Sequence, residues 1–411
     1  MSEKNATAPY AENQYLAVSV KPSVLSNSIR QELEQLVENP SNHYWEPNDQ
    51  LRNLTIVVPT FQRSEHLLRT VRFWSGKGPQ LLVLDGSPNP TKDDGLFDSV
   101  KALTYVHMPE SIQSRLVNSS DYIRTDYVTL MGDDEVHMPS SLTASIKELE
   151  GNPKLASCLG WSVGFWPRRG KESTREILGR SCYPDLHFRE NTQESAQERL
   201  LTHFGQYVPS NIYSVVRKVA YGNALKLIAL PGERVFAQSE LEFELAMLYQ
   251  GGNKVLPNLH WLRNFGDSGN STQDADTNPQ NIFHVRFLDP DYSAWRNDFL
   301  STRALILASI DGEEAAQVRL WLEKSLLLYS EICARTISKP TLAARVASYL
   351  QIHLRSFVPE EQHHRVRKIL KIIRRQNFSQ SLQEAVRDLS LNGMKYSEAE
   401  LNQVIEERIQ A

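Results

Sequence analysis

The sequence predicts an α/β protein with a parallel sheet at its centre, preceded by an N-terminal arm and followed by a mostly helical region. Short apolar runs alternate with helical patterns between Leu54 and Glu135, which is typical of strands joined by crossover helices. Polar residues end several of these runs, and from Asp289 onward the pattern is helical almost to the end. A ligand site is therefore expected at the sheet.

The alternation begins with LTIVVPT from Leu54, whose β-branched residues and closing proline predict a buried strand followed by a turn. Glu65 to Trp74 then has helical spacing. The pattern continues with GPQLLVLDGS as a strand, Asp94 to Ala102 as a helix, LTYVHM as a strand, and YVTLMGDDE as a strand that enters a loop. Ligands of such sheets bind beyond the carboxyl ends of the strands, so the polar residues found there are the candidates for function.

The chain divides into three predicted parts: an N-terminal arm with one helix, an α/β domain and an α-helical domain, at residues 1–50, 51–289 and 290–411. The helix of the arm is predicted from Ser26 to Val37. The helical domain contains helical patterns at Trp295 to Ile310, Glu314 to Arg335 and Pro340 to Phe357. Ser397 and Glu400 predict a capping box at the start of a last helix.

The composition is that of a globular protein. The chain has 411 residues, of which 40% are apolar and 23% charged, enough for more than one domain. A net charge of -4 gives no electrostatic reason to expect a nucleic-acid partner. The three cysteines have no disulfide or metal spacing, and no apolar run has the length of a signal peptide or a membrane span. We therefore expect a cytoplasmic protein.

Two groups of acids end apolar runs. Asp133, Asp134 and Glu135 follow YVTLM and would repel one another without a counterion. A divalent cation among them could neutralise a nucleotide diphosphate, whereas a solvated acidic turn is the alternative. Asp85 ends LLVLD, where a carboxylate can accept from a base or a ribose, although Asp-Gly-Ser is also ordinary turn chemistry.

Several segments occur together in the order and spacing of a known family. They are VVPTFQRSEHLLRTV, the LLVLDGS strand that follows it, Arg115, and YVTLMGDDEVHMPSSL. In this order they resemble the family 2 glycosyltransferases, which have the GT-A fold. The resemblance extends from about Leu51 to Thr272 and so covers a little over half of the chain.

The resemblance implies a nucleotide-sugar site at the strand ends. In the family, the first strand ends in a Pro-Thr or Pro-Ser turn against the nucleotide, and the acid that ends the second strand holds the uracil ring. The residues that this implicates in nucleotide-sugar binding are Pro59, Thr60, Arg63, Asp85, Arg115, Asp133 and Arg263.

The resemblance also implies a metal. The family motif is Asp-any-Asp followed by a proline, and alignment on Pro139 puts Gly132 where the first aspartate stands, which is a departure. Asp134 then takes the ligand position. His260 takes the place of a histidine that closes over the metal or the diphosphate, although a lone histidine is more often structural. The implied ligands of a Mn2+ or Mg2+ ion are Asp134, Glu135 and His260.

A carboxylate base is implied by PGERVFAQSELEFELAMLYQGGNKVLPNLH, which resembles the acceptor-side helix of the family. Counting back from Gly251 selects Glu240, and a shifted register selects Glu242. Residues two apart lie on nearly opposite faces of a helix, so only one of the two is expected to face the site. The alternative is that these are solvated helix glutamates.

These implications predict an inverting glycosyltransferase that moves a sugar from a nucleoside diphosphate sugar to a hydroxyl of a glycan, lipid-linked or protein acceptor. The resemblance implies that the donor is a UDP-sugar. Two alternatives stay open. A catalytically inactive nucleotide-binding or scaffold protein is favoured by Gly132. A sugar nucleotidyltransferase normally has a glycine-rich phosphate loop, and VVPTFQRSE contains no glycine.

A basic segment from His363 to Arg375 combines an apolar stripe with six cationic side chains. Such a helix can bind the anionic inner face of a membrane, or it can be a core-facing helix with a solvated cationic back. The helical region also leaves open whether the protein forms a homo-oligomer.

Overall fold

The computed structural model describes residues 49–93, 95–169, 175–208, 211–232, 234–235, 237–266, 282–337 and 380–410. The predicted N-terminal arm, with its helix from Ser26 to Val37, lies outside these residues. So do the predicted helix from Pro340 to Phe357 and the basic segment from His363 to Arg375.

The described residues contain one mixed sheet. Its strands are β1 (Leu54–Thr60), β2 (Gln80–Asp85), β3 (Leu103–His107), β4 (Tyr127–Leu130), β5 (Val136–His137), β6 (Leu155–Arg169), β7 (Arg175–Cys182), β8 (Glu190–Asn191), β9 (Val215–Arg217), β10 (Gly252–Asn264) and β11 (Gln380–Ser381). The order is β3-β2-β1-β4-β9-β6-β7-β11, and β10 pairs with β5, β6 and β8. The strands from β1 to β4 are parallel, whereas β9 runs antiparallel to β4 and β6.

Helices connect and cover the strands. They are α1 (Ser64–Trp74), α2 (Leu96–Ser99), α3 (Ile112–Asn118), α4 (Pro139–Gly151), α5 (Ala196–Phe204), α6 (Lys218–Ile228), α7 (Gln238–Gln250), α8 (Phe283–Leu288), α9 (Ser293–Asp311), α10 (Ala315–Ile337), α11 (Leu382–Leu391) and α12 (Glu398–Val404). A π-helical turn from Ile405 to Gln410 follows α12. No described helix has both the length and the apolar character that crossing a membrane requires.

The predicted α/β class is confirmed, and the strands and helices expected between Leu54 and Glu135 are present. The pattern from Asp94 to Ala102 forms a shorter helix than expected, over Leu96–Ser99. The strands predicted to be parallel, β1 to β4, are parallel. The rest of the sheet, for which no pairing was predicted, is mixed: β6 and β7 form an antiparallel hairpin, and β9 is antiparallel to both of its neighbours.

Alternate side chains of the central strands enter two cores on the two faces of the sheet, as the two-residue period of a strand requires. In β1, Leu54, Ile56 and Val58 belong to one core, and Val57 belongs to the other. All four are fully buried. Because both faces are covered, the strand is apolar without alternation, which explains why LTIVVPT predicts a buried strand.

The residues after Asp289 join these two cores rather than forming a separate one within the described part of the chain. Phe299 of α9 and Leu322 of α10 lie in the core that contains Val57. Leu382 of α11 and Leu401 of α12 lie in the core on the other face. The predicted helical character of this region is confirmed, and the domain boundary after residue 289 stays a prediction.

Glu400 connects the C-terminal part of the chain to the start of α4. The predicted helix after Ser397 is present, and Ser397 Oγ accepts from the Glu400 backbone N–H at 3.3 Å. The Glu400 side chain, however, does not complete a capping box with Ser397. Its Oε1 accepts from Ser140 N at 2.8 Å and its Oε2 from Ser140 Oγ at 2.5 Å. The carboxylate therefore caps a helix that follows directly on the acidic segment.

Candidate active site

The predicted site lies where β1, β2 and β3 end side by side. Thr60, Asp85 and His107 are the last residues of these strands and are paired in register. The segment Gly132 to Glu135, called the acidic loop below, follows β4 on the other side of β1. It reaches Thr60, whose Oγ1 donates to Asp133 Oδ2 at 2.6 Å. Parallel pairing thus gathers polar residues that lie far apart along the chain.

Asp85 is fully buried and orders the loop after β2. Its Oδ1 accepts from Ser87 N at 2.8 Å, and its Oδ2 accepts from Tyr105 Oη at 2.7 Å and from Thr91 Oγ1 at 2.9 Å. Burial raises the pKa of Asp85, but these hydrogen bonds outweigh it and hold the pKa below its ordinary value. The carboxylate is therefore ionised at neutral pH. Its predicted contact with uracil stays a prediction.

Arg115 ties the ends of β1 and β2 together from beneath the site. Its Nη1 donates to the carbonyl oxygens of Thr60 at 2.7 Å and Leu84 at 2.6 Å. The guanidinium lies so close to Gly86 that a Cβ there would come within 2.4 Å of Arg115 Cζ. Glycine at position 86 therefore makes room for the buried arginine.

Arg63, at the N-terminal end of α1, is a counterion of the acidic loop. Its Nη1 lies 3.0 Å from Asp133 Oδ1, and its Nη2 lies 2.6 Å from Asp134 Oδ2. Asn264 Nδ2 also donates to Asp134 Oδ2, at 3.4 Å. Burial raises the pKa of Asp133, whereas Arg63 and the Thr60 hydroxyl lower it. The counterion that the sequence requires here is thus supplied by the chain itself.

Glu135 is buried on the opposite side of the acidic loop from Arg63. Its Oε2 accepts from Trp261 Nε1 at 3.0 Å, and its Oε1 lies 3.9 Å from Arg263 Nε. Burial and the neighbouring Asp134 carboxylate raise the pKa of Glu135 to about 8, although Arg263 and Trp261 oppose the rise. The Arg263 guanidinium lies 5.4 Å from the centroid of the Trp261 ring, at cation–π distance.

The predicted metal ligands do not converge in the described structure. A divalent cation takes several oxygen ligands at close range. Three of the four oxygens of Asp133 and Asp134 are already engaged by Arg63, Thr60 and Asn264. Among the described residues, no group of three or more histidine, cysteine, aspartate or glutamate side chains is arranged to hold a metal ion. The implied ion does not fit this loop while Arg63 occupies it.

His260 is a residue of β10, and its side chain lies in the interior. Its side chain is fully buried. The Nδ1 atom lies 3.0 Å from Ser141 Oγ, and Nε2 lies 3.3 Å from the carbonyl oxygen of Tyr213. Burial lowers the pKa of His260 to about 4, so the ring is neutral. With both nitrogens engaged by the chain, the geometry favours the structural alternative over the predicted metal ligand.

The two candidate bases differ in their surroundings, as the helical geometry requires. Glu242 is fully buried, and its Oε2 lies 2.7 Å from Arg234 Nη1. Its Oε1 lies 2.6 Å from Arg303 Nη2. Glu240, in the first turn of α7, is partly exposed and lies on the other side of the helix. The partial exposure of Glu240 therefore favours it over Glu242 as the candidate base.

Burial and the nearby Glu244 raise the pKa of Glu240 to about 8, and the Tyr207 hydroxyl opposes the rise. Glu244 lies one turn further along α7, and its Oε2 is 2.5 Å from His203 Nε2. Burial raises the pKa of Glu244 well above its ordinary value and lowers that of His203 to about 3. The pair is thus neutral, with one proton between the two groups.

Tyr213 connects the acidic loop to Glu240. Burial, together with the carboxylates of Glu135, Glu240 and Asp134, raises the pKa of its phenol well above the ordinary value. Its ring also stacks on Trp261, with 4.1 Å between centroids. The acidic loop and the start of α7 therefore both influence Tyr213. Tyr213 was not identified from the sequence, because nothing in the segment FGQYVPSNIYSVV distinguishes it from neighbouring aromatics.

Comparison with known proteins gave matches among solved structures alone. No family model and no curated protein matches the sequence. The chain is similar to S. aureus TarS 1-349, with 11% identity and a TM-score of 0.40 over 69% of this chain and 91% of that one. For TarS 1-349 in complex with UDP-GlcNAc, the identity is 15% and the TM-score 0.45, over 84% and 93% of the two chains. Likeness this weak assigns neither family nor activity.

The described structure sorts the predicted residues into three groups. Thr60 and Arg63 contact the acidic loop directly, and Arg263 lies 3.9 Å from Glu135 of that loop. Asp85 and Arg115 make the contacts that order the ends of the strands. Glu242 and His260 are engaged elsewhere in the interior.

Proposed function

We propose that this protein is a glycosyltransferase that takes a sugar from a nucleoside diphosphate sugar, with UDP as the expected nucleotide, and passes it to a hydroxyl acceptor. The observation that carries the proposal is that Thr60, Arg63 and the acidic loop are in direct contact at the carboxyl ends of the parallel strands. Ligands of α/β sheets bind at this edge, and Arg63 supplies a cationic group there for a charged donor. Glu240, whose pKa is raised to about 8, is the candidate base.

In this proposal Glu240 is the general base. The acceptor oxygen attacks the anomeric carbon and gives its proton to Glu240, while the bond from that carbon to the diphosphate breaks. Arg63 and Arg263 lie at the acidic loop, where their charge can stabilise the departing diphosphate. Inversion at the anomeric carbon follows from the resemblance to family 2 glycosyltransferases, as does the choice of UDP.

The proposal is tested by following UDP release from a panel of UDP-sugars, together with calorimetric binding of UDP. Glu240→Gln keeps the shape of the side chain but cannot take a proton. We expect it to lower turnover by about 100-fold to 10,000-fold and to leave UDP affinity unchanged.

Glu242→Gln is the control on the same helix, because the alternative register makes it the base. We expect its turnover per folded molecule to stay near that of the wild type. The reverse result would exchange the two roles. UDP binding without turnover of any sugar nucleotide would instead support a binding or scaffold protein, and no UDP binding at all would contradict the nucleotide site.

A further inference from the structure

Resting on the proposed function, we infer that Arg63 is the resident cation of the acidic loop, so that the site takes a nucleoside diphosphate without a divalent ion. A divalent ion enters the loop only when Arg63 leaves the two aspartates. This replaces the metal that the resemblance implies with a guanidinium of the chain itself.

The geometry of Arg63 is that of a bridging ion. One guanidinium nitrogen contacts Asp133 at 3.0 Å and the other contacts Asp134 at 2.6 Å, so that a single side chain spans adjacent carboxylates. A divalent cation held by Asp134 would likewise need carboxylate oxygen that Arg63 already contacts. Because the guanidinium is planar and permanently charged, it holds both acids at once and is not lost by deprotonation.

Glu135, the last residue of the acidic loop, also has its partners within the chain. Glu135 receives the Trp261 N–H at 3.0 Å and lies 3.9 Å from Arg263. A Cβ added at Gly132 would lie 3.2 Å from the Glu135 side chain. Position 132, where the family has its first metal-binding aspartate, therefore lies against the Glu135 side chain. An aspartate at this position would crowd Glu135.

These contacts change what a diphosphate would meet. Two arginines, Arg63 and Arg263, border the loop, and their positive charges lie beside its acids. A diphosphate that approaches the loop meets this charge while the acids keep Arg63 in place. An ion that enters the same space must instead displace a positive charge from 2.6 Å and 3.0 Å contacts.

The test consists of two measurements. Mn2+ binding is monitored by the electron paramagnetic resonance signal of the free ion, and UDP binding is measured by calorimetry in EDTA and in Mn2+. The wild type is expected to bind Mn2+ weakly and to bind UDP equally in both buffers. Arg63→Gln frees the aspartates, so Mn2+ should bind it about tenfold tighter or more. The same variant should bind UDP more weakly in EDTA and regain affinity when Mn2+ is added.

Arg72→Gln is the matched control, since Arg72 is exposed on the same helix and its loss changes the net charge by the same amount. It should behave as the wild type in every titration. Tight Mn2+ binding by the wild type, or loss of its UDP binding in EDTA, would overturn the inference. Should no form of the protein bind UDP, the proposed function fails, and the Mn2+ titration of the wild type and Arg63→Gln still decides the role of Arg63. Arg63→Lys, which keeps a point charge, should stay closer to the wild type.

Discussion

Glu240 and Glu242 show how strongly the role of a residue depends on its immediate surroundings. They lie two positions apart on α7, yet one meets two arginines in the interior and the other meets a tyrosine and a second glutamate. In the first environment the carboxylate contacts two guanidinium groups. In the second the charged form of Glu240 is disfavoured, because burial and a nearby acid both raise its pKa. The chemistry expected of each glutamate follows from this difference.

The raised pKa of Glu240 predicts a pH dependence of turnover. A base must be deprotonated to act, so kcat/KM for the proposed transfer should rise with pH and level off above about 8. The groups that face this carboxyl are Tyr207, Tyr213, Glu244 and, through Glu244, His203. A steady-state pH profile checks the prediction, and a flat profile between pH 6 and 9 would contradict it.

The same shift has a consequence for stability with the opposite sign. Because the folded protein favours protonated Glu240, this group's contribution to stability is complete at low pH and is lost as pH rises through about 8. Glu240→Gln should remove the part of the stability loss that comes from Glu240. Urea unfolding at pH 6 and pH 9 should therefore show a smaller difference between the two midpoints in the variant than in the wild type.

Glu242 is predicted to be a stabilising residue. Glu242→Gln leaves Arg303 buried without its charged partner, which should lower the free energy of unfolding by about 3 kcal/mol. Glu148→Gln is the comparison, because the Glu148–Lys254 pair is partly exposed and such pairs contribute about 0 to 1 kcal/mol. Denaturant unfolding of both variants checks the difference, and equal losses would argue against the buried network.

At the scale of elements, the site depends on how the ends of parallel strands are held at a common edge. Arg115 contacts Thr60, the last residue of β1, and Leu84, next to the last residue of β2, and Thr60 also contacts the acidic loop that follows β4. The turn after β2 must leave space for the Arg115 side chain, and Gly86 provides this space because it has no Cβ. Local sequence patterns place the strands, but these cross-strand contacts align their ends.

Gly86→Ala is predicted to disturb this alignment. Its Cβ would overlap Arg115 Cζ at 2.4 Å, so the buried guanidinium would have to move, at a cost of about 1 to 3 kcal/mol in stability. We also expect weaker UDP binding, because Thr60 loses the contact that holds its carbonyl. Thermal and calorimetric titrations measure the two effects.

Gly222→Ala is the control for that substitution. A Cβ at this position inside α6 meets no neighbouring atom within 4 Å. Alanine should therefore stabilise the helix, by about 0.4 to 1 kcal/mol, without any change in UDP affinity. A loss of stability in both glycine variants would show that the Arg115 contact is not the cause.

At the scale of the whole molecule, the C-terminal residues help to hold the site. Glu400 lies far from the acidic loop along the chain, but its carboxylate caps α4 a few residues after that loop ends. A negative group at a helix N-terminus satisfies open N–H donors and interacts favourably with the helix dipole. The segment 380–410 is thus part of the scaffold of the site.

Glu400→Ala should therefore lower stability by about 1 to 2 kcal/mol, since the first turn of α4 loses its cap. The effect should reach the preceding loop and weaken UDP binding. Glu398→Ala, an exposed acid in the same helix, is the comparison and should change neither quantity. Hydrogen exchange at the start of α4 would locate the change, and unaltered exchange there would contradict the capping role.

Much of the fold was predictable from local pattern. LTIVVPT and LLVLD are apolar throughout because both faces of their strands are covered, and strands of this kind point their polar ends at a ligand edge. The antiparallel half of the sheet was not predicted, because hairpin pairing between β6 and β7 leaves no helix between them as a signal. The Ser397 and Glu400 pattern predicted the right helix but the wrong partner for the glutamate.

The sequence by itself determined the α/β class, the strand ends that carry Thr60, Asp85 and the acidic loop, and the opposite orientation of Glu240 and Glu242, because these follow from backbone periodicity. The tertiary structure alone decided that Arg63 bridges Asp133 and Asp134, that Arg303 pairs with Glu242 and that Tyr213 is influenced by both the loop and Glu240. Such contacts join residues distant in the chain, and charge partners are chosen by the packing that brings them together rather than by their spacing in sequence.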